Sequence, residues 1–430
     1  MPWTSSSPSK KALLKSGMTR RVVITGLGIL SPVGNSPVEF FRQLMAGQSG
    51  IKHFDSPFAA QLNNRIAARV TDFNPHEHFT KMQLTGIERF SQFALVAAAQ
   101  AVADAKLELS DTEKSRAGVC MGSCLGGAST LEDGYIELLQ REEARVKPLS
   151  VLLSMNNAAA SHISLKYGLQ GANVTYSTAC SSSAIAIGEA YRQIKHGYSE
   201  VMLAGGAEAM LTLGVMKAWE ALRTVATEDT QDAGASCKPF AKDRSGLVLG
   251  EGAAVLVLED AERAIKRGAK IYAELVGYDC SSDASHITKP DAAGQSRTII
   301  KALNDAGLQP HDIGYINAHG TATLAGDVQE TLAIKNVFGA HAKNMPVSSS
   351  KSMHGHLMGA TGAVEFMAAV LALENNAIPP TINLHHPDPE CDLDYVPNHG
   401  RTGLNLKAVM SNSFAFGGSN AVLIAQRYTK

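Results

Sequence analysis

The sequence predicts an α/β protein that is built from two similar halves. Short segments rich in valine, leucine and isoleucine alternate with longer helical patterns, and no proline- or serine-rich linker divides the chain. The 430 residues exceed the usual size of a single hydrophobic core, so we expect two domains or an internal duplication. A hydrophobic content of 45%, 38 glycines and 18% charged residues are typical of an α/β enzyme.

Ten short segments are predicted as buried strands, because each is rich in aliphatic residues and too short to favour a helix. Helical patterns separate most of them, as expected where crossover helices join the strands of a sheet. The strands form two sets of five: 21–25, 117–121, 173–177, 200–204 and 253–258, followed by 271–277, 313–317, 345–349, 406–412 and 421–425.

The two sets of strands repeat one order of motifs. A strand, a polar turn and a helix of small residues occur around Cys180 and again over 346–362. The repetition predicts an N-terminal half over 20–268 and a C-terminal half over 269–430. We expect the functional site to lie between these halves.

Residues 1–19 are predicted to be a flexible extension that precedes the first strand. They contain no acidic residue, and the sequence leaves open whether they are native, a targeting segment or artificial. Six scattered cysteines favour a reducing compartment, so we expect a cytoplasmic protein, with organellar targeting by the extension left open. The formal net charge of -1 argues against a nucleic-acid partner, and no apolar run is long enough to span a membrane.

Cys180 is the first candidate for a reactive residue. A β-branched segment precedes it, and three serines over 181–183 lead into a helical pattern. Backbone N–H groups and the macrodipole at a helix N-terminus favour ionisation of a thiol, which predicts a nucleophile. The alternative is a buried structural cysteine, which the neighbouring serines disfavour. The helical prediction rests on one apolar face formed by Ile187, Ala190, Tyr191 and Ile194.

Reactive residue types also cluster in the second half. His319 directly follows the predicted strand 313–317, and Lys351, His354 and His356 precede a glycine-rich helix. Two histidines beside glycines at strand ends indicate an active site, whereas a lone histidine is more often a hydrogen-bonded structural residue. A zinc site formed by the three histidines is disfavoured, because their spacing matches no helical ligand pair and no carboxylate accompanies them.

A glycine-rich turn over 412–420 connects the last two predicted strands. Its glycines allow the backbone to approach a ligand closely, so an N–H group of the turn could bind a developing oxyanion. The ring of Phe416 could close over an apolar substrate. The alternative is an ordinary hairpin with two core phenylalanines.

Together and in this order, these motifs resemble those of the β-ketoacyl-acyl carrier protein synthases, the elongating condensing enzymes of the thiolase-like superfamily. The resemblance covers 20–427 and implies a thiolase-like fold, in which duplicated βαβαβ halves form a layered α-β-α-β-α architecture. It rests on Thr-Ala-Cys-Ser-Ser around Cys180, His-Gly-Thr-Ala-Thr from His319, Lys-Ser-Met-His-Gly-His over 351–356 and Asn-Ser-Phe-Ala-Phe-Gly-Gly over 412–418.

The resemblance implies the catalytic roles of five residues. Cys180 would accept the acyl group, and His319 and His356 would be the two active-site histidines. Lys351 would pair with Glu365 and organise the site.

The resemblance also implies how substrates would be bound. The backbone N–H groups of Cys180 and Phe416 would form an oxyanion hole, and Thr321 and Thr323 would contact the phosphopantetheine arm of the carrier. Phe416 would gate the acyl pocket, and Leu125 would line it.

The reaction implied by the resemblance is a decarboxylative Claisen condensation of an acyl chain with malonyl-acyl carrier protein, which yields 3-oxoacyl-acyl carrier protein and CO₂. It uses no metal or redox cofactor. The implied partners are acyl carrier protein and a second subunit, either in a homodimer or in a heterodimer with a chain-length-factor-like paralogue. The pathway would be fatty acid synthesis or the related synthesis of polyenes and polyketides.

Several other activities compete with this reaction. A specialised polyketide or polyene ketosynthase would act with a partner that lacks the nucleophile. A non-decarboxylating thiolase would carry a second cysteine near the C-terminal turn, where this chain has none. An initiating synthase would pair cysteine with histidine and asparagine, and a non-catalytic chain-length partner would lack Cys180.

Two features depart from the family pattern. His354 occupies a position that usually holds threonine, which is either a tuned feature or a neutral substitution. A helix expected around 83–91 is poorer in lysine and arginine than family surfaces that bind the carrier, so the location of the docking surface stays open.

Overall fold

A computed structural model describes residues 19–140 and 145–429 of the chain. The extension predicted over 1–19 therefore lies outside the described residues, apart from Thr19. Among the helices of the described part, none is both long and apolar enough to cross a membrane.

Within the described residues, ten strands form one mixed sheet, and two short strands form a separate antiparallel pair. The ten correspond to the ten predicted segments, with bounds that differ by a few residues. The short pair was not predicted, because strands of three residues carry no readable periodicity. In chain order the strands are β1 (Val22–Leu30), β2 (Ile51–His53), β3 (Ile66–Ala68), β4 (Gly118–Gly122), β5 (Asn173–Tyr176), β6 (Val201–Glu208), β7 (Gly252–Asp260), β8 (Ala273–Ser282), β9 (Ile313–Asn317), β10 (Val347–Ser348), β11 (Ala408–Phe414) and β12 (Ser419–Gln426).

Helices connect most of the strands and cover the faces of the sheet. In chain order, those of the described part are α1 (Pro37–Met45), α2 (Lys81–Leu84), α3 (Arg89–Asp104), α4 (Asp111–Lys114), α5 (Ala128–Leu139), α6 (Ser150–Ser154), α7 (Ala158–Tyr167), α8 (Ser182–Lys195), α9 (Leu213–Leu222), α10 (Ala261–Lys266), α11 (Ala292–Ala306), α12 (Leu324–Phe338), α13 (Lys351–His354) and α14 (Thr361–Asn375).

A helix cap at Glu88 explains why α2 and α3 are separate helices. The sequence suggested one helix around 83–91, but α2 ends at Leu84 and α3 begins at Arg89. Glu88 acts as the N-cap of α3, and its side chain accepts a hydrogen bond from the backbone N–H of Phe90 at 2.9 Å. The single-helix expectation is therefore wrong.

The order of strands in the sheet confirms the internal duplication. The first half reads β1-β7-β6-β4-β5 and the second reads β8-β12-β11-β9-β10. Corresponding neighbours are parallel or antiparallel in the same way in both halves. The halves meet where β1 pairs antiparallel with β8, over Val22 to Ile24 and Ala273 to Leu275.

The three largest hydrophobic cores of the described residues separate five layers. The central core surrounds α8 and α14, which lie between the two halves of the sheet. The second core packs α3 and α7 against the outer face of the first half, and the third packs α11 and α12 against the second half. Residues 361–373 of α14 are all buried, as expected for a helix that is apolar on every side. The predicted α-β-α-β-α layering is confirmed.

Candidate active site

Cys180 lies in a tight turn between β5 and α8. The preceding residue, Ala179, has a left-handed backbone with a φ of +51°, which turns the chain sharply. The side-chain oxygen of Ser182 accepts a hydrogen bond from the backbone N–H of Thr178 at 2.9 Å and donates one to the carbonyl oxygen of Ala179 at 2.6 Å. Because α8 begins at Ser182, the buried thiol lies beside a helix N-terminus, as predicted.

The environment of the thiol does not favour its ionisation. Burial raises the pKa of Cys180 to about 11, although the ammonium group of Lys351 and the backbone N–H groups of Phe416 and Cys180 lower it. The expectation that the helix N-terminus makes this thiol more acidic is therefore wrong in its net effect, because desolvation outweighs the favourable dipoles. The thiol is protonated at neutral pH, and its proton must leave as the sulfur attacks.

Cys180 and two histidines form one buried cluster. Sγ of Cys180 and one ring nitrogen each of His319 and His356 all lie within 4.8 Å of one another. The two imidazole rings are nearly perpendicular, with centroids 5.6 Å apart and an interplanar angle of 85°. The structure thus brings together the three residues that the sequence analysis placed at the centre of the site.

The hydrogen bonds of His356 define which ring nitrogen carries the proton. Nδ1 accepts a hydrogen bond from the backbone N–H of Met358 at 3.1 Å and lies 2.9 Å from the hydroxyl of Thr361. A neutral imidazole that accepts at Nδ1 must carry its hydrogen on Nε2. Nε2 is buried and has no hydrogen-bond partner among the described residues, so it is a donor available to a substrate.

His319 has the same tautomer for a different reason. Nζ of Lys351 lies 3.4 Å from Nδ1 of His319 and also donates to the carbonyl oxygen of His319 at 2.5 Å. An ammonium group can only donate, so Nδ1 accepts and Nε2 carries the hydrogen. Burial, followed by the positive charge of Lys351, lowers the pKa of both His319 and His356 well below the ordinary value, and both rings are neutral donors.

Lys351 is held by a buried ion pair with Glu365, as predicted. Nζ lies 2.6 Å from Oε1, and neither side chain is exposed to solvent. Burial raises the pKa of Glu365, while the adjacent ammonium group of Lys351 lowers it and favours the charged form. Glu365 belongs to α14 and Lys351 to α13, so the pair links two elements of the second half.

A second buried carboxylate, Glu330, was missed by the sequence analysis. It accepts hydrogen bonds from the backbone N–H groups of His319 at 2.8 Å and Gly320 at 2.7 Å, and from Nδ2 of Asn412 at 3.2 Å. One turn earlier on α12, Asp327 accepts from the backbone N–H groups of Phe240 and Ala322. The spacing of three residues between these acids was a readable signal, but the sequence did not indicate that both face inwards.

The glycine-rich turn between β11 and β12 brings Phe416 to the cluster. The backbone N–H groups of Phe416 and Cys180 both interact with Sγ of Cys180. Within the described residues, neither N–H donates to a protein oxygen. The ring of Phe416 stacks on Trp219 with centroids 5.9 Å apart and an interplanar angle of 19°. No sequence motif had singled out Trp219.

A cavity of about 310 Å³ opens onto the cluster. Thr321 and Thr323 line it, with their hydroxyl oxygens 2.9 Å apart. Leu125 lies outside the cavity lining and is 41% exposed, so the structure does not bring it together with the other predicted residues. The buried remainder of the lining is completed by residues of both halves, among them Leu247, Asp283, Glu330 and Phe414.

His354 does not join the cluster, although it is buried. Its Nδ1 lies 2.8 Å from the carbonyl oxygen of Gly355, and its Nε2 lies 2.9 Å from the hydroxyl of Ser350. Burial lowers the pKa of His354 to about 3, so the ring is neutral and bonded to its own segment. The three-histidine zinc set considered from the sequence is therefore not brought together.

Comparisons with known proteins point to one family. Residues 19–264 match the family described as beta-ketoacyl synthase, N-terminal domain, and 272–385 match the corresponding C-terminal domain. The chain is 41% identical over 411 residues to 3-oxoacyl-[acyl-carrier-protein] synthase 2 of Staphylococcus aureus (strain N315), covering 95% of this chain and 99% of that protein.

Solved structures with the same fold include two from ketosynthase assemblies. One is a type II PKS acyl-carrier protein in complex with its ketosynthase bound to the hexaketide, with a TM-score of 0.88, 33% identity and coverage of 96% of this chain and 100% of that one. The other is the ishigamide ketosynthase/chain length factor, also at a TM-score of 0.88, with 35% identity and coverage of 96% and 100%.

Proposed function

The chain belongs to the β-ketoacyl synthase family, and we propose that it is a 3-oxoacyl-acyl carrier protein synthase that holds the acyl chain on Cys180. The observation that carries the proposal is the buried cluster in which Sγ of Cys180 and ring nitrogens of His319 and His356 lie within 4.8 Å of one another. A thiol that faces two neutral N–H donors suits thioester chemistry, in which a nucleophile attacks and an oxygen gains negative charge.

The first half-reaction transfers the acyl chain to the enzyme. Sγ of Cys180 attacks the thioester carbon of acyl-acyl carrier protein, and the oxygen becomes an oxyanion. The N–H groups of Cys180 and Phe416, which already interact with the sulfur, donate hydrogen bonds to that oxyanion. Its collapse expels the carrier thiolate. The proton lost by Cys180 balances the proton gained by the carrier thiol, so transacylation is neutral in protons.

The second half-reaction forms the carbon–carbon bond. Malonyl-acyl carrier protein enters, and the Nε2 hydrogens of His319 and His356 bond its thioester oxygen. Loss of CO₂ leaves an enolate whose negative oxygen these donors stabilise. The enolate carbon attacks the acyl-Cys180 thioester and expels the Cys180 thiolate, which takes up one proton from solvent. Both rings are neutral, so each donates its Nε2 hydrogen bond to the enolate oxygen as an imidazole and not as an imidazolium cation.

The proposed reaction uses no metal ion, and the charge of Lys351 disfavours one at this site. Cys180, His319 and His356 are close enough to share a cation, but the buried ammonium of Lys351 lies 3.4 Å from His319 and would repel it. Lys351 and Glu365 act as positioning residues, since they fix the ring of His319. Glu330 fixes the backbone of the same histidine.

The cavity suits a substrate delivered on a carrier arm. Thr321 and Thr323 offer hydroxyl groups along its wall for the polar atoms of phosphopantetheine. At its rim lie Arg223 and Lys289, which are exposed and basic. Their charge would attract an acidic carrier protein, which supports a docking surface at this mouth.

A partner subunit is proposed along the edge of the first half. β5 ends the order of strands in the sheet and pairs only with β4 within the described residues, and its Val174 is 39% exposed. An open edge with apolar side chains favours pairing with another chain. Nearby in sequence, exposed apolar residues continue the surface: Leu138, Leu139, Val151, Leu152 and Leu165.

The identity of that partner separates two forms of the proposal. We propose a homodimer, with a heterodimer as the alternative because one similar structure is a ketosynthase/chain length factor. Native mass spectrometry of the purified protein distinguishes them: a stable, fully active homodimer supports the first. We also propose that the halves divide at 268/269, between the end of α10 at Lys266 and the start of β8 at Ala273.

The central test measures covalent acylation. Incubation with acyl-acyl carrier protein should add the mass of one acyl group to the protein, and Cys180→Ala should abolish the addition. Cys280→Ala, at a partly exposed cysteine outside the cavity lining, is the matched control and should acylate normally. A Cys180→Ala variant that still forms an acyl-enzyme would refute the assignment. Acyl chains of graded length and unsaturation would then define the substrate.

A further inference from the structure

We infer that Trp219 is a positioning residue that holds the ring of Phe416 in its closed position and thereby controls the entry of long acyl chains. The inference rests on the proposed function, because it concerns the acyl chain bound to Cys180. Its basis is the stack of the two rings, which both line the cavity beside Cys180. A centroid distance of 5.9 Å with nearly parallel planes is the favourable offset arrangement of two aromatic rings.

Trp219 is the fixed member of the pair. It lies on α9, whose first backbone N–H groups, those of Leu213 and Gly214, donate to the carboxylate of Glu132 at 2.8 and 2.7 Å. Near the other end, Glu220 accepts hydrogen bonds from the backbone N–H groups of Asn63 and Asn64 at 2.6 and 3.1 Å. α9 is thus tied to two other segments, and the indole forms a stationary surface.

Phe416 is the member that can move. It begins a turn in which Gly417 and Gly418 have φ values of +83° and +70°. A Cβ placed on Gly417 would meet no atom within 4 Å among the described residues, so the turn has free space on that side. Rotation of Phe416 about χ1 would break the stack while its backbone N–H stays beside Sγ. Opening therefore does not dismantle the proposed oxyanion hole.

The stack should discriminate between acyl chains by length. Behind Cys180 lies an apolar cluster that includes Met210, Met216 and Met358, and the ring pair adjoins it. An acetyl group can bind to the sulfur without entering this cluster, whereas a long chain must displace Phe416. The loss of the stack should therefore speed acylation by long chains about two- to tenfold and leave acetylation unchanged.

The experiment compares Trp219→Leu with Trp219→Phe, which keeps an aromatic ring. Acylation by dodecanoyl- and acetyl-acyl carrier protein is followed by intact mass. We expect the ratio of the two rates to rise about two- to tenfold in Trp219→Leu and to stay near the parent value in Trp219→Phe. An unchanged ratio in Trp219→Leu would overturn the inference.

A spectroscopic readout separates this role from a general structural one. The chain contains two tryptophans, so Trp3→Phe leaves Trp219 as the sole emitter. Dodecanoylation should change the Trp219 emission, and Phe416→Leu should produce that change before acylation. If neither dodecanoylation nor Phe416→Leu changes the Trp219 emission, the inference is overturned. This readout does not use Trp219→Leu, so it holds even if that variant folds poorly. A parent protein that takes up neither acyl group would instead refute the proposed function on which the inference rests.

Discussion

Lys351 donates hydrogen bonds to both Nδ1 and the carbonyl oxygen of His319, so one buried cation fixes the ring and the backbone of a single residue. The same cation is neutralised by Glu365, which no solvent reaches. Removal of one member of a buried ion pair leaves the other charge without compensation, and this is costly.

Lys351→Met should therefore lower the free energy of unfolding by about 3 to 5 kcal/mol. It should also raise the pKa of His319 and His356, because the charge of Lys351 lowers both. Denaturant titration measures the first effect and NMR titration of the histidines the second. The control is Lys343→Met, which breaks an exposed pair with Asp392 and should cost less than about 1 kcal/mol. Equal losses in the two variants would contradict the prediction.

His319→Ala and His356→Ala should separate the two half-reactions. Each removes one donor to the enolate but leaves the thiol and its two N–H groups in place. We expect self-acylation to be retained, and condensation of the preformed acyl-enzyme with malonyl-acyl carrier protein to fall about 10²- to 10³-fold. His311→Ala, at an exposed histidine, is the control and should behave as the parent. Full condensation by both site variants would refute their role.

The rate at which iodoacetamide labels Cys180 should still be rising with pH at pH 10. A pKa near 11 leaves about a hundredfold less thiolate at pH 8 than the ordinary pKa of 9.0 would. The labelling rate should rise about tenfold per pH unit from pH 7 to pH 10, as peptide mass spectrometry can measure. Lys351→Met should slow it further, since it removes a charge that lowers this pKa. A plateau below pH 9 would show that the helix dipole dominates instead.

His354→Thr should change the pH dependence of stability but not that of condensation. The folded-state pKa of His354, about 3, lies below its unfolded value of 6.5, so unfolding takes up a proton between these pH values. The stabilisation from the neutral ring is complete above pH 6.5 and is lost as the pH falls towards 3. The unfolding free energy of the parent rises with pH between pH 4.5 and 5.5. In the variant this slope should be smaller by about 1.4 kcal/mol per pH unit.

Denaturant titrations at pH 4.5, 5.0 and 5.5 provide the test for His354. Condensation should keep its pH profile, because both ring nitrogens bond to their own segment and neither faces the cavity. Parallel stability curves for parent and variant would show that His354 titrates normally in the folded state.

The fold was largely predictable because its strands and central helices carry strong local patterns. The aliphatic run at 253–258 and the apolar face from Ile187 to Ile194 indicate buried elements without knowledge of their neighbours. The two copies of the strand–turn–helix motif also predicted that the site lies between the halves. The short strands β2 and β3 were missed, since their few residues have no recognisable period.

The electrostatics of the site could not be predicted, because they depend on burial. A helix N-terminus beside Cys180 argued for a lowered pKa, yet the desolvation that reverses the shift depends on packing from both halves. Glu330 was missed for the same reason: a carboxylate on a helix is usually exposed, and only the structure shows it bonded to the backbone of His319. The stack of Trp219 and Phe416 joins residues far apart in sequence.

The seam at which β1 pairs with β8 makes the assembly of the Cys180, His319 and His356 cluster independent of protein concentration. Cys180 comes from the first half and both histidines from the second, so the halves would separate on dilution if they were different molecules. Here they share one chain, and the histidines meet the thiol at a high effective concentration that dilution does not alter. Dilution of a dimer into monomers would therefore leave these three side chains assembled.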